Sequence, residues 1–232
     1  MHSYNIIGDI HGRDAWKRLV DENCINIFVG DYFDPYLDFP FEELEHNFLE
    51  ITEYKKEHKD QVVLLYGNHD MSYFPDTRDY TNRYDFVNAK RIRDLLDTTK
   101  ELFHGVAYAI GDEYLVTHAG VTCLWKEKYL PEVDDINPTN MAEAINDLWN
   151  KTKTPFTFMP NHQDAMDHNG EDPHQSPLWV RPEALCSNNL YHDTNVKQII
   201  GHTKVKIIKE VAGIIMVDCL DRVEQSFMTP SL

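Results

Sequence analysis

Short runs of isoleucine, valine, leucine and aromatic residues recur at residues 4–7, 25–29, 62–66, 113–117 and 196–200, each stopping at or beside a small polar motif. Runs this short and this apolar predict core strands. Between the first two, Trp16, Leu19 and Val20 recur at helical spacing; between the second and third, Leu44, Phe48 and Ile51 do the same. Each set predicts an amphipathic helix. The front of the chain therefore reads as βαβαβ. Crossovers of this kind make neighbouring strands parallel and bring their C-terminal ends to one rim of the sheet.

Farther along, the pattern changes. Residues 77–103 are rich in Arg, Asp and Tyr but hold Phe86, Ile92, Leu95 and Leu96 near helical spacing, which predicts a helical cap segment. Residues 106–110 and 114–117, separated by Gly111-Asp112-Glu113, predict a hairpin. Residues 141–149 carry Ala142, Ile145 and Leu148 at helical spacing, and the polar stretch 151–177, with four prolines, predicts a long surface loop. Three last apolar runs, at 205–208, 213–217 and 223–227, predict an antiparallel meander. The class is α/β, with residues 1–232 as one domain.

Composition narrows this picture. Hydrophobic residues make up 42% of the chain and charged residues 26%, with no apolar run long enough to span a membrane. The start, Met1-His2-Ser3-Tyr4, lacks a basic n-region and an apolar h-region, so no secretory signal is expected and the cytoplasm is the expected location. Cys24, Cys123, Cys186 and Cys219 stand far apart, without zinc-knuckle spacing or a disulfide framework. The formal charge of −17 disfavours a long nucleic-acid substrate, except where bound cations invert the field locally.

The chemistry lies where the strands end. Gly8-Asp9-Ile10-His11-Gly12, Gly30-Asp31-Tyr32-Phe33-Asp34, Gly67-Asn68-His69-Asp70, His118-Ala119-Gly120 and Gly201-His202-Thr203 follow the five core runs in order. They fall at the strand edge where α/β folds gather ligands. A single Gly-Asp pair after a strand is often only a turn or a helix cap; five such motifs in sequence are not explained that way. Asp9 and His11 can close on one cation, Asp31 can bridge two, and Asn68, His118 and His202 add an amide oxygen and two ring nitrogens. This mixed O and N set suits two divalent ions, with manganese favoured and iron or zinc possible; the absence of thiolates argues against a structural zinc. Two metals about 3.5–4 Å apart can hold a hydroxide and brace an in-line displacement at phosphorus. His69 is placed to protonate the leaving oxygen and Asp34 to orient it.

The motif set resembles the calcineurin-like metallophosphoesterases, and within them the phosphoprotein phosphatase branch, which includes bacterial and phage Ser/Thr phosphatases and symmetrical diadenosine tetraphosphate hydrolases. The resemblance runs from Asp9 to about Cys219. It implies a β-sandwich of mixed sheets flanked by α-helices. It also implies Asp9 and His11 on the first metal, Asp31 bridging, and Asn68, His118 and His202 on the second, with His69 as acid and Asp34 as its partner. Arg181, in Leu178-Trp179-Val180-Arg181-Pro182, resembles a phosphate-binding arginine of the family, and Asn68 is expected to touch the same phosphate. Lys204 follows two residues after His202, where nuclease-like relatives place a further ligand.

One departure stands out. The family usually has Asp-Arg-Gly where this chain has Asp34-Pro35-Tyr36, so the phosphate clamp is one arginine short. Arg13, Arg78 and Arg83 are the replacements considered. The expected function is a phosphomonoesterase acting on phosphoserine, phosphothreonine or a small phosphate ester. The alternative is a dinucleoside polyphosphate hydrolase, in which Tyr80, Tyr84 and Phe86 would stack a nucleobase; core packing under the cap is the plainer use of those rings. A non-catalytic module is disfavoured by the complete ligand set. His162, His168 and His174, with Asp164, Asp167, Glu171 and Asp172, are expected to be solvated or to overhang the site, not to bind a further metal.

Overall fold

The structure is a computed structural model and describes residues 2–75, 77, 83–158 and 169–230. The first run forms β1 (Ser3–Ile7), followed by the single helical turn α1 (Trp16–Leu19), β2 (Cys24–Phe28), the long helix α2 (Phe41–Glu57) and β3 (Val62–Leu64). β1 pairs parallel with β2 and β2 with β3, as the crossovers require. α2 carries Glu42 and Glu43 in its first turn and Lys55 and Lys56 in its last, which complements the helix dipole. Its buried stripe is Phe41, Leu44, Phe48 and Ile51. Truncating Phe48 to Ala would cost about 3–5 kcal/mol.

Next come the short helix α3 (Asn68–Met71), α4 (Ala89–Thr99), the hairpin strands β4 (Ala107–Ile110) and β5 (Tyr114–Thr117), α5 (Cys123–Tyr129), α6 (Pro138–Lys151) and α7 (Pro182–Ser187). The chain ends with β6 (Lys197–Ile200), β7 (Lys209–Val211), β8 (Ile214–Met216) and β9 (Phe227–Met228). α4 occupies the predicted helical segment, and its Ile92 and Leu96 are buried in the same core as the α2 stripe. α3, α5 and α7 span four to seven residues, too short for periodicity to reveal.

Two sheets result, ordered β3-β2-β1-β9 and β4-β5-β6-β8-β7. Ile6, Ile27, Val29, Val63 and Leu65 from the first face Ile110, Val116, Ile199, Ile215 and Val217 from the second, forming the sandwich core. The alternate residues Ile7 and Phe28 point the other way, into the core beneath the helices. The expected sandwich of mixed sheets flanked by helices is therefore the fold. Among the described residues no helix is long and apolar enough to cross a membrane.

The meander is corrected. β7 and β8 form a hairpin whose two turn residues, Ala212 and Gly213, have φ of 52° and 74°, the pair of positive values that suits a tight two-residue turn. That turn fixes the register, so residues 205–208 fall outside the ladder; the Val205 N–H bonds the Asp218 carbonyl instead, at 2.8 Å. The far edge of β8 is taken by β6, and β9 crosses to the first sheet, where it lies antiparallel to β1.

The polar loop is corrected in part. Gln175 and Ser176 are buried, Ser176 Oγ donates to the Phe156 carbonyl at 3.0 Å, and Ala119 N–H donates to Pro177 O at 2.6 Å. The end of this stretch is thus packed against the His118 motif. His162, Asp164, Asp167 and His168 lie outside the described residues, as do Arg78 and Tyr80.

Candidate metal centre

The loops leaving β1, β2, β3, β5 and β6 meet at one edge of the sandwich, and the turns there are unusual. Among the described non-glycine residues, positive φ occurs at His11, Asp31, Asp34 and His202, with values of 44°, 56°, 56° and 60°, and otherwise only at Asp193 and Ala212. Left-handed backbone at side-chain-bearing residues is costly and gathers where a site demands it. Glycines make the remaining room. A Cβ on Gly67 would lie 2.1 Å from Asp31 Oδ1, and one on Gly201 would lie 2.1 Å from Asp9 Oδ1.

The side chains so aimed come together. His11 Nε2 lies 3.5 Å and His118 Nε2 3.4 Å from Asp31 Oδ2. Asn68 Oδ1 lies 2.8 Å from His118 Nε2 and 3.0 Å from His202 Nδ1. The His202 N–H donates to both oxygens of Asp9, each at 3.0 Å. Two overlapping groups have all their ligand atoms within 4.8 Å of one another: His11, Asp31 and His69, and Asp9, Asp31 and His118. Asp31 is common to both.

The donor chemistry fits divalent cations. A carbonyl oxygen only accepts, so the ring nitrogen facing it carries the proton. His11 Nδ1 faces Phe33 O at 2.9 Å, His118 Nδ1 faces Val29 O at 2.8 Å, and His202 Nε2 faces Trp179 O at 3.1 Å. In the neutral rings of His11 and His202 the other nitrogen then offers a lone pair inward, towards the equally electron-rich Asp31 Oδ2 and Asn68 Oδ1. Burial opposes charge on His118, but Asp31 and Asp9 outweigh it and raise it to about 10, so without a cation its Nε2 holds a proton between Asp31 Oδ2 and Asn68 Oδ1. Lone pairs converging at such distances repel one another without a cation between them, and backbone-tethered imidazoles are the usual arrangement around bound metals. Burial holds the His11 imidazole down at about 3 and, with Arg181 and His118, puts His202 well below the ordinary range, so both rings are neutral. Burial, reinforced by the charge of Asp31, pushes Asp9 up to about 7 against the pull of His118, as befits carboxylates crowded without counterions. Asp218 adds to the crowding: its Oδ1 is buried with no hydrogen-bond partner among the described residues.

Beside this nest sits the expected pair: His69 Nδ1 lies 2.8 Å from Asp34 Oδ2. Burial opposes charge on His69, but Asp31 and Asp34 outweigh it and raise its pKa. Since His69 also belongs to a potential ligand group, its free Nε2 has two possible uses, on a metal or on a leaving group. Arg181 is anchored at the rim, with Nε donating to Asn169 O at 2.9 Å and Nη1 to His202 O and Thr203 Oγ1, both at 3.1 Å. Of the arginines considered for the missing clamp, Arg13 donates to the Asp9 and Ile10 carbonyls, whereas Arg83 donates to Pro35 O at 3.0 Å and lies 4.6 Å over the Tyr36 ring. Tyr36 is set edge-on to His11 at 4.8 Å, and Lys204 Nζ lies 3.1 Å from its ring centre. Tyr84 packs on Tyr73, while Phe86 is 72% exposed and contributes little to a core.

Sequence reasoning missed Asp70. Its carboxylate accepts from the N–H groups of Gly67 and Asp31 at 2.8 Å and of Tyr32 at 2.9 Å, tying the second motif to the third. Its place three residues after Gly67, at the head of α3, was the available signal.

Comparison with known proteins shows the family of the chain. The family profile described as Calcineurin-like phosphoesterase matches residues 3–206. No curated protein matches the chain. Among solved structures, a cold-active protein-tyrosine phosphatase of a psychrophile Shewanella species is 15% identical with a TM-score of 0.60, over 98% of this chain and 75% of its own. Another structure of a cold-active protein tyrosine phosphatase is 19% identical with a TM-score of 0.62, over 98% of this chain and 73% of its own. A Saccharomyces cerevisiae protein serine/threonine phosphatase with similarity to human phosphatase PP5 is 18% identical with a TM-score of 0.50, over 93% of this chain and 66% of its own. At these identities the likeness is one of fold.

Proposed function

This chain belongs to the calcineurin-like phosphoesterase family and is a metal-dependent hydrolase of phosphoric esters, and we propose that it is a phosphomonoesterase of the phosphoprotein phosphatase kind. Its substrate on this reading is phosphoserine, phosphothreonine or a small phosphate ester. The observation that carries it is the convergence of the potential ligand atoms of Asp31, Asn68, His118 and His202 beside a His69–Asp34 pair. Asp9, His11 and Asp31 would hold one divalent ion and Asp31, Asn68, His118 and His202 a second, manganese being the first choice. Bound there, the ions would supply charge to the phosphoryl oxygens and lower the pKa of water at phosphorus.

The chain's own residues do the rest. Asn68 turns its oxygen towards two imidazoles, which leaves its amide N–H groups to a phosphate oxygen. Arg181, fixed by three hydrogen bonds, presents its remaining guanidinium face to the same phosphate. Arg83 reaches the turn at 35–36 and takes the part of the missing clamp. His69, protonated and oriented by Asp34, gives its Nε2 proton to the departing alkoxide.

The neighbours named as protein phosphatases support a phosphorylated side chain as substrate. The test is hydrolysis by metal-stripped protein with manganese added back, comparing a phosphoserine peptide with diadenosine tetraphosphate. Peptide turnover is expected. Turnover of the dinucleotide alone would replace this reading with that of a dinucleoside polyphosphate hydrolase.

A further inference from the structure

Tyr73 follows α3, is 1% exposed, and has no part in the chemistry above. Its hydroxyl donates to Asp34 Oδ1 and accepts the backbone N–H of Asp85 at 2.8 Å. The other oxygen of Asp34 faces His69 Nδ1 at 2.8 Å. The Tyr73 ring is stacked on Tyr84 at 4.5 Å with 17° between the planes, and lies edge-on to Phe33 at 6.4 Å. A continuous set of contacts thus runs from the turn at 84–85 through Tyr73 and Asp34 to the imidazole of His69.

Asp34 is the middle of this set. It sits in left-handed backbone at the end of the second motif, with φ of 56°. The hydrogen bond to His69 at one oxygen sets a distance but does not by itself define the carboxylate plane. A second bond at the other oxygen fixes the plane, and with it the direction in which His69 Nε2 points. Burial and the neighbouring carboxylate push the Tyr73 hydroxyl far above its ordinary range, so it stays a donor at every working pH.

We propose that Tyr73 is a positioning residue for proton delivery: it clamps the plane of Asp34 so that His69 is aimed at the leaving oxygen, and it anchors that pair to the turn at 84–85. The proposal rests on the reading of His69 as proton donor. A group that aims an acid matters only where the leaving group needs a proton, and that separates positioning from general support of the fold.

The test compares O-phosphoserine, whose alkoxide must be protonated, with p-nitrophenyl phosphate, whose phenolate leaves unaided. In the manganese-loaded protein, Tyr73→Phe should lower kcat on O-phosphoserine by about 10-fold to 100-fold, the worth of one hydrogen bond to a charged group, with KM and the p-nitrophenyl rate nearly unchanged. In a His69→Asn background the same substitution should have no further effect, because the two act in series. Equal losses on both substrates, no loss, or a full loss persisting in the His69→Asn background would each overturn the proposal. Should Tyr73→Phe fail to fold, Tyr84→Leu removes the stacked ring but keeps the hydroxyl; a selective loss on O-phosphoserine supports the proposal and a uniform one refutes it. If His69→Asn itself slows both substrates equally, the proton-donor reading fails. If His69→Asn is selective and Tyr73→Phe is not, only the present inference fails.

Discussion

The two sheets bring different chemistry to the same edge, and they hold it differently. The loops after β1, β2 and β3 carry the carboxylates Asp9 and Asp31, the amide of Asn68 and one imidazole, His11, and they brace one another: the Asp70 carboxylate ties three N–H groups of the second and third motifs, and the His69 N–H donates to Asp31 Oδ1 at 2.9 Å. The loops after β5 and β6 carry the imidazoles His118 and His202, and these lean on the first sheet. The His118 ring is held by the Val29 carbonyl, and the His202 backbone N–H by the Asp9 carboxylate, while the His202 ring rests on the Trp179 carbonyl. The anionic half of the centre is therefore braced locally by neighbouring parallel strands. The His118 ring takes its orientation only once the sandwich has closed.

Substitutions at each half sharpen this contrast. The largest effect is expected from Asp31→Asn, which removes the charge common to both ligand groups. Bound manganese and activity should fall together to background; metal content unchanged by elemental analysis would show that Asp31 does not bridge. His69→Asn should lower turnover on an alkyl phosphate by about 10²–10⁴-fold and on p-nitrophenyl phosphate by much less, with bound metal unchanged. Loss of metal in that variant would instead make His69 a ligand.

Asp70→Asn tests the bracing of the anionic half without touching a proposed ligand. Burial and Asp31 raise the Asp70 carboxyl to about 7 against the three N–H donors, so above that pH, where it is ionised, placing an amide there should cost about 3 kcal/mol in denaturant unfolding of the metal-free protein, the range of a hydrogen bond to a charged acceptor. An unchanged midpoint would mean that the first sheet's loops do not depend on it. The smallest effect belongs to the rim. Arg181→Met should raise KM by about tenfold with kcat little changed, since the guanidinium is proposed to bind phosphate in ground and transition states alike. A fall in kcat at constant KM would place Arg181 in the chemistry itself.

Much of the fold was legible in the sequence because its core strands are uniformly apolar and end in turn residues. The runs at 4–7, 25–29 and 62–66 became β1, β2 and β3, and the spacing of Leu44, Phe48 and Ile51 became α2. The motif residues Asp9, His11, Asp31, Asn68, His118 and His202 were legible as candidates because each follows such a strand, and they do lie together. The end of the chain was less legible. Apolar runs near β8 show strand character but not which edge is free, and β9 found the open edge of β1 instead of extending the hairpin. Tyr73 and Asp70 were hidden for another reason: a buried tyrosine and a turn aspartate are common, and only their partners, 39 residues away for Tyr73 and Asp34, distinguish them.

By itself, the sequence determined the order of the core strands and the longer helices, the parallel pairing that crossovers impose on β1, β2 and β3, and the kinds of ligand placed at one rim. These follow from local periodicity and covalent connection, which are properties of neighbouring residues. Only the tertiary structure decided which ring nitrogen faces inward, which carbonyls hold the imidazoles, that Arg83 and Lys204 gather at Tyr36, and that Tyr73 joins Asp34 to the turn at 84–85. Those contacts join residues far apart in the chain, and their geometry is set by the docking of two sheets through a shared core, which no local pattern encodes.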